Sequence, residues 1–138
     1  MDYQVFINAT NEMAREVHKN AVEHGFYEVV PSIPERLMLT VGELAEALEE
    51  YRNDTPTQYV VRQEPDPESA IGCRVDWITD PILWRSDEKP EGIASELADT
   101  VIRIMDICAE QGIDLGALIA IKHEYNKTRS YKHGGKII

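Results

Sequence analysis

Thiols, positive charge and long apolar runs are all scarce in this sequence. Only two cysteines occur in 138 residues, Cys73 and Cys108, with no Cys-x-x-Cys spacing, which argues against a disulfide scaffold or a zinc ribbon. Lys and Arg number 14 against 25 Asp and Glu, for a net charge of −11. That balance opposes the electrostatic attraction on which nucleic-acid binding depends. No apolar run approaches the roughly 20 residues of a membrane helix, and Met1 to Val5 lack the basic-then-apolar pattern of a secretory signal. The expectation is a cytoplasmic protein with neither a nucleic-acid nor a membrane partner. Also missing are a Gly-x-x-x-x-Gly-Lys-Ser/Thr phosphate loop and any internal repeat. None of His18, His24, His123 or His133 has a Glu three residues before it, so the Glu-x-x-His signature of a di-iron carboxylate bundle is absent.

What remains is a chain of a size that forms one domain, with helical periodicity over most of its length. The pattern predicts an all-α fold: an antiparallel helical bundle of about four main helices in a single domain spanning residues 1–138. Thr10 or Asn11 reads as the cap of a first helix, which runs through Met13, Val17 and Ala21 to Gly25. Ser32 caps a second that extends to about Arg52, with Pro34 and Glu35 in its first turn. Pro90-Glu91-Gly92 opens a third that ends near Gly112, and Asp114 caps a fourth from Leu115 to about Thr128. Between Asn53 and Pro90 the helical period fails. There Gln58–Arg62 and Arg74–Thr79 have strand-like content suited to a small hairpin in an irregular insertion.

The chemistry-bearing residues fall into two acidic clusters and one basic segment. Winding the second helix at about 100° per residue puts Leu37, Val41, Leu44, Leu48 and Tyr51 on one side, and Glu43, Glu46 and Glu50 on the other. Alone, that acidic side reads as a solvated face. The third helix is apolar over most of its circumference, with one narrow stripe of Glu96, Asp99, Arg103, Asp106 and Glu110. A helix of that kind is normally surrounded by protein, so its stripe faces a thin strip of solvent or lines a cleft. In a cleft, ionised carboxylates need a counter-charge. Two sources are open: a divalent metal, or Arg103 through ordinary ion pairs along its own helix. Carboxylate oxygens without matched histidines or thiolates favour Mg²⁺ or Mn²⁺. Positive groups concentrate later in the chain, where Lys122, Asn126 and Arg129 share one helical face suited to phosphate and Lys136 follows in a Gly-containing tail. The competing reading is a helix C-terminus whose cations complement the dipole. Trp77 and Trp84 are able to stack on a base or to anchor an irregular segment.

Three stretches, in order, resemble the MazG-like, all-α nucleoside triphosphate pyrophosphohydrolases, especially their short single-domain bacterial and phage forms. They are Val41–Glu50, Lys89–Asp99, and Lys122–Arg129 with the tail Lys132-His133-Gly134-Gly135-Lys136. The resemblance implies a helical homodimer or homotetramer and Mg²⁺-dependent cleavage of a nucleoside triphosphate, with a dNTP the expected substrate, to the monophosphate and pyrophosphate. By the same resemblance Glu43, Glu46, Glu96 and Asp99 would hold metal, and Glu43, Glu46 and Glu50 would supply the catalytic acids. Lys122, Asn126, Arg129 and Lys136 would grip phosphate. Candidates for base recognition are Asn8, Asn11, His18, Trp77 and Trp84. Many family members carry Glu one turn before the position of Glu43, where this chain has Thr40. The alternative from another class is a non-catalytic helical module that senses nucleotide or oligomerises.

Overall fold

The computed structural model describes residues 1–62, 74–75 and 88–130. Four helices dominate: α1 (Tyr3–Glu23), α2 (Ile33–Arg52), α3 (Ile93–Glu110) and α4 (Leu115–Lys127). A three-stranded antiparallel sheet, β1 (Tyr59–Arg62), β2 (Arg74–Val75) and β3 (Glu88–Glu91), lies between α2 and α3 in sequence, with strand order β2-β1-β3. The mostly helical class expected from the periodicity holds. The described residues belong to two compact units, one comprising Met1–Pro31 with Ile104–Ile138 and the other Ser32–Arg103.

In the first unit, α1 starts more than two turns earlier than its sequence suggests. Asp2 is the true cap, accepting from the backbone N–H of Gln4 at 3.0 Å and of Val5 at 3.3 Å. Asn11 reads as a cap because its side chain does a cap's work for another helix. Its amide nitrogen donates to Asp114 Oδ1 at 2.7 Å and its oxygen accepts from Gly116 N at 2.9 Å, so it satisfies the orphan groups that open α4. Asp114 caps α4 as expected, accepting from Ala117 N. At this crossing the backbones approach so closely that a Cβ on Gly116 would stand 2.8 Å from both the Cα and the carbonyl oxygen of Ile7.

The second unit is built around α2, the sheet and the first part of α3. Ser32 and Glu35 form a reciprocal capping box, with Ser32 N donating to Glu35 Oε2 at 2.7 Å and Glu35 N donating back to Ser32 Oγ. The expected hairpin is present in part: Val60 pairs with Val75 and Val61 with Arg74, whereas Asp76–Thr79 lie outside the described residues. Pro90-Glu91 does not open α3. Those residues complete β3, in register with Tyr59 and Val60, and the chain turns into α3 only after Gly92. Gly92 has φ +94°, and a Cβ there would sit 2.7 Å from Pro56 O and 2.8 Å from Thr57 O. Only glycine fits that turn. Ala94 N then donates to Thr57 O at 2.9 Å, tying the start of α3 to the strand's approach.

The α1–α4 crossing generates a stability prediction. Gly116→Ala forces a methyl against the Ile7 backbone and should destabilise the protein by about 2 kcal/mol; Gly42→Ala, where a Cβ meets nothing within 4 Å, should be neutral or slightly stabilising. Urea unfolding of the two variants checks both, and equal midpoints would contradict the packing described.

Candidate functional site

The second unit brings together three of the predicted carboxylates. Glu43 comes from the middle of α2, while Glu96 and Asp99 come from the first two turns of α3. One oxygen of each lies within 4.8 Å of the others. The i, i+3 step puts Glu96 and Asp99 on one side of α3, and the Gly92 turn aims that side at α2. Glu43 and Glu96 are buried, each 8% exposed, and Asp99 stands at the solvent edge.

The burial inverts the amphipathic expectation. Along α2 the apolar series Leu37, Val41, Leu44, Leu48 and Tyr51 is exposed, while Arg36, Glu43 and Ala47 are buried. On α3 Leu97, Val101 and Ile102 are exposed, while Glu96 and Thr100 are buried. The stripe of α3 divides: Glu96 is buried, Asp99 is exposed and Asp106 belongs to the first unit, and the apolar surface expected to be enclosed by protein is exposed in the single chain.

Electrostatics follow from this crowding. Burial, then the negative charges of Glu46, Asp99 and Glu43, push the Glu96 carboxyl above its ordinary value. Burial and Glu43 push Asp99 up in the same way, against the opposing pull of Arg103 and Lys89. Both shifts express one fact: these groups resist ionising together. Arg103 relieves part of the strain through its Nε, which donates to Glu43 Oε1. The sequence suggested that Arg103 pairs along α3; it reaches across to α2 instead. Lys89, overlooked in the sequence, pairs with Glu91 at 2.5 Å and feels Glu96 and Asp99 as well, which raises its own pKa.

The other candidates are distributed as follows. Glu46, one turn beyond Glu43, is exposed, yet its charge is among those raising Glu96. Glu50 is engaged elsewhere: its Oε2 accepts from Thr55 Oγ1 at 2.5 Å and from Tyr59 OH at 3.4 Å. Thr40 donates its hydroxyl to the Arg36 carbonyl at 3.0 Å and offers nothing to the triad. Asp106, part of the same sequence stripe as Asp99, belongs to the first unit. There it pairs with His18 Nδ1 at 2.8 Å and accepts from Tyr27 OH at 2.8 Å, while the His18 and Tyr27 rings meet edge to face at 4.8 Å. Asn8 accepts from the Gln4 side chain, and Asn11 serves α4. Also in the first unit, Lys122 and Asn126 line an open groove along α4 with Leu115, Leu118, Ile119 and His123. The Lys122 ammonium stands 5.3 Å from the Tyr125 ring centre, and Arg129 is exposed just past the helix end. Trp77, Trp84 and Lys136 lie outside the described residues.

The donor set is chemically suited to a hard divalent cation. All three groups are carboxylates, with no histidine or thiolate among them, and oxygen-only sites favour Mg²⁺ or Mn²⁺. Compared with protein-family models, with curated proteins and with solved structures, the chain finds no match.

The raised carboxyls have a signed consequence. A carboxyl whose native pKa exceeds its unfolded value binds protons better in the fold, so stability falls as pH rises from the unfolded pKa through the native one. Glu96→Gln and Asp99→Asn should therefore raise Tm at pH 7 and change it little near pH 4. Added Mg²⁺ should stabilise the unsubstituted protein at pH 7 and lose that effect as the acids protonate. Thermal denaturation across pH, with and without Mg²⁺, reads both; a Tm lowered at pH 7 by both substitutions would refute the account.

Proposed function

We propose that the protein is a Mg²⁺-dependent nucleotide pyrophosphohydrolase that cleaves a (d)NTP to the (d)NMP and pyrophosphate. The observation that carries this reading is the convergence of Glu43, Glu96 and Asp99 from two helices into one cation-seeking cluster. These are three of the four ligands that the MazG-like resemblance assigns. Supporting it, the cluster is built where carboxylates are reluctant to ionise together, a cost that a bound divalent cation offsets.

In this reading Glu43, Glu96 and Asp99 hold the ion. When bound, Mg²⁺ neutralises charge on the phosphate oxygens as the α-phosphorus is attacked. Glu46 is exposed and adjacent, and takes the proton from the attacking water. Glu50 positions the chain leaving α2 through Thr55 and Tyr59. The resemblance assigns phosphate gripping to Lys122, Asn126, Arg129 and Lys136; the first three belong to the first unit, whereas the triad belongs to the second.

The protein works as a homodimer or homotetramer. Leu37, Val41, Leu44, Leu48 and Tyr51 are spaced alternately four and three residues apart, the seam spacing of packed helices. All five are exposed in the single chain, and an apolar stripe of that length on a folded surface is characteristic of an interface. A second copy is the occupant that the resemblance implies.

Two experiments test these statements. Incubation with a panel of (d)NTPs and Mg²⁺ should release pyrophosphate, and Glu43→Gln or Asp99→Asn should lower kcat by at least about 100-fold; a protein that leaves every (d)NTP intact with Mg²⁺ and Mn²⁺ is not this enzyme. The non-catalytic alternative would then stand if nucleotides still raised Tm. Separately, light scattering should give a dimer or tetramer mass that Leu48→Glu reduces to a monomer, and a monomeric unsubstituted chain would remove the interface.

A further inference from the structure

We propose that Arg103 is the resident counter-cation of the acidic triad, displaced from Glu43 by a divalent ion and thereby freed to grip a polyphosphate oxygen. The inference rests on the metal-dependent reading above and adds a residue that the resemblance does not assign. Arg103 and Glu43 are 60 positions apart in sequence and on different helices, yet the guanidinium Nε donates directly to Glu43 Oε1. The two ends of the pair differ. The Glu43 side chain is 10% exposed and fixed in the packing, whereas that of Arg103 is 41% exposed and has open solvent to move into. The same positive charge acts on Asp99, so one cation serves two of the three acids.

A divalent ion held by Glu43 would stand a few ångströms from the guanidinium and repel it. The two cations are therefore alternatives at Glu43 rather than companions. Once released, Arg103 carries the planar fork that matches phosphate geometry, on a half-exposed side chain beside Glu43. One residue thus screens the acids in the metal-free protein and serves the substrate in the loaded one.

The test compares Mn²⁺ binding, by calorimetry, to the full chain and to its Arg103→Ala and Lys89→Ala variants. Lys89 also acts on Glu96 and Asp99 but pairs with Glu91, so it controls for the loss of a positive charge in the field alone. Arg103→Ala should bind Mn²⁺ about fivefold more tightly than the parent, with a gain clearly larger than that of Lys89→Ala. The Mn²⁺-loaded Arg103→Ala protein should bind pyrophosphate about tenfold more weakly than the loaded parent. Equal gains in the two variants, weaker metal binding in Arg103→Ala, or undiminished pyrophosphate binding would each overturn the proposal. If no form of the protein binds Mn²⁺, the metal reading itself falls and Arg103 is a permanent ion pair. A measurement on the unsubstituted chain guards against misfolded variants: the Arg103 Nε–H resonance should be protected from solvent exchange without metal and lose that protection with Mg²⁺. Retained protection at metal saturation would also overturn it.

Discussion

Mutual repulsion among Glu43, Glu96 and Asp99 is the constraint on which the second unit depends, because these groups cannot be held together by their own interactions. Something else must impose the proximity. The sheet does part of this: β3 pairs along β1, Gly92 turns the chain in a conformation closed to other residues, and Ala94 N bonds to Thr57 O. Those contacts fix where α3 begins and which side it offers to α2. The acids are then brought to one place by backbone geometry, and Arg103 and Lys89 reduce the cost of leaving them there. A cluster maintained against its own electrostatics is a poor choice for stability alone, and that cost is what the proposed cation would offset.

The same geometry decides what becomes of the apolar surface. A helix has one circumference, and turning the acidic sides of α2 and α3 inward leaves Leu37, Val41, Leu44, Leu48, Leu97 and Val101 outward. In a monomeric enzyme these faces would form the core and the acids would face water. Here the two requirements conflict within a single chain, and the proposed association with a second copy would resolve them. On that proposal, site and interface would be two consequences of one choice of helix rotation.

Much of this was legible in the sequence, for reasons that can be stated residue by residue. Ser32, Asp114 and Gly112 mark helix ends through local bonding that their types specify, and α2, α4 and the end of α3 fall where expected. Periodicity likewise put Glu96 and Asp99 on one face. Long-range pairings were not legible. Asn11 resembles a cap because it performs that role for α4, and this misplaced the start of α1. Pro90-Glu91 resembles a helix opening, but its pairing with residues some thirty positions earlier makes it a strand. Arg103 offered Asp99 and Asp106 as local partners, and only the fold could reveal Glu43. Nor does a stripe on one helix reveal that Asp106 belongs with His18 and Tyr27 rather than with the triad.

Charge balance bears on how many ions the site takes. In the proposed exchange the divalent cation takes the place of Arg103, so three ionised carboxylates and one such ion would leave a single negative charge. A second ion would need further ligands. The position one turn before Glu43, where relatives in the resembled family carry Glu, is Thr40, whose hydroxyl is bonded to its own helix; Glu50 is held by Thr55 and Tyr59. Only Glu46 remains to extend the set. If Glu46 serves the attacking water as proposed, the protein's own ligands would suffice for one ion, and further neutralisation of a triphosphate would come from side chains. In the proposal, a released Arg103 would supply one such charge at the triad. On the proposed reading Thr40 and Arg103 are linked: with no carboxylate at position 40, the charge that a further metal ion would bring would come from a guanidinium instead.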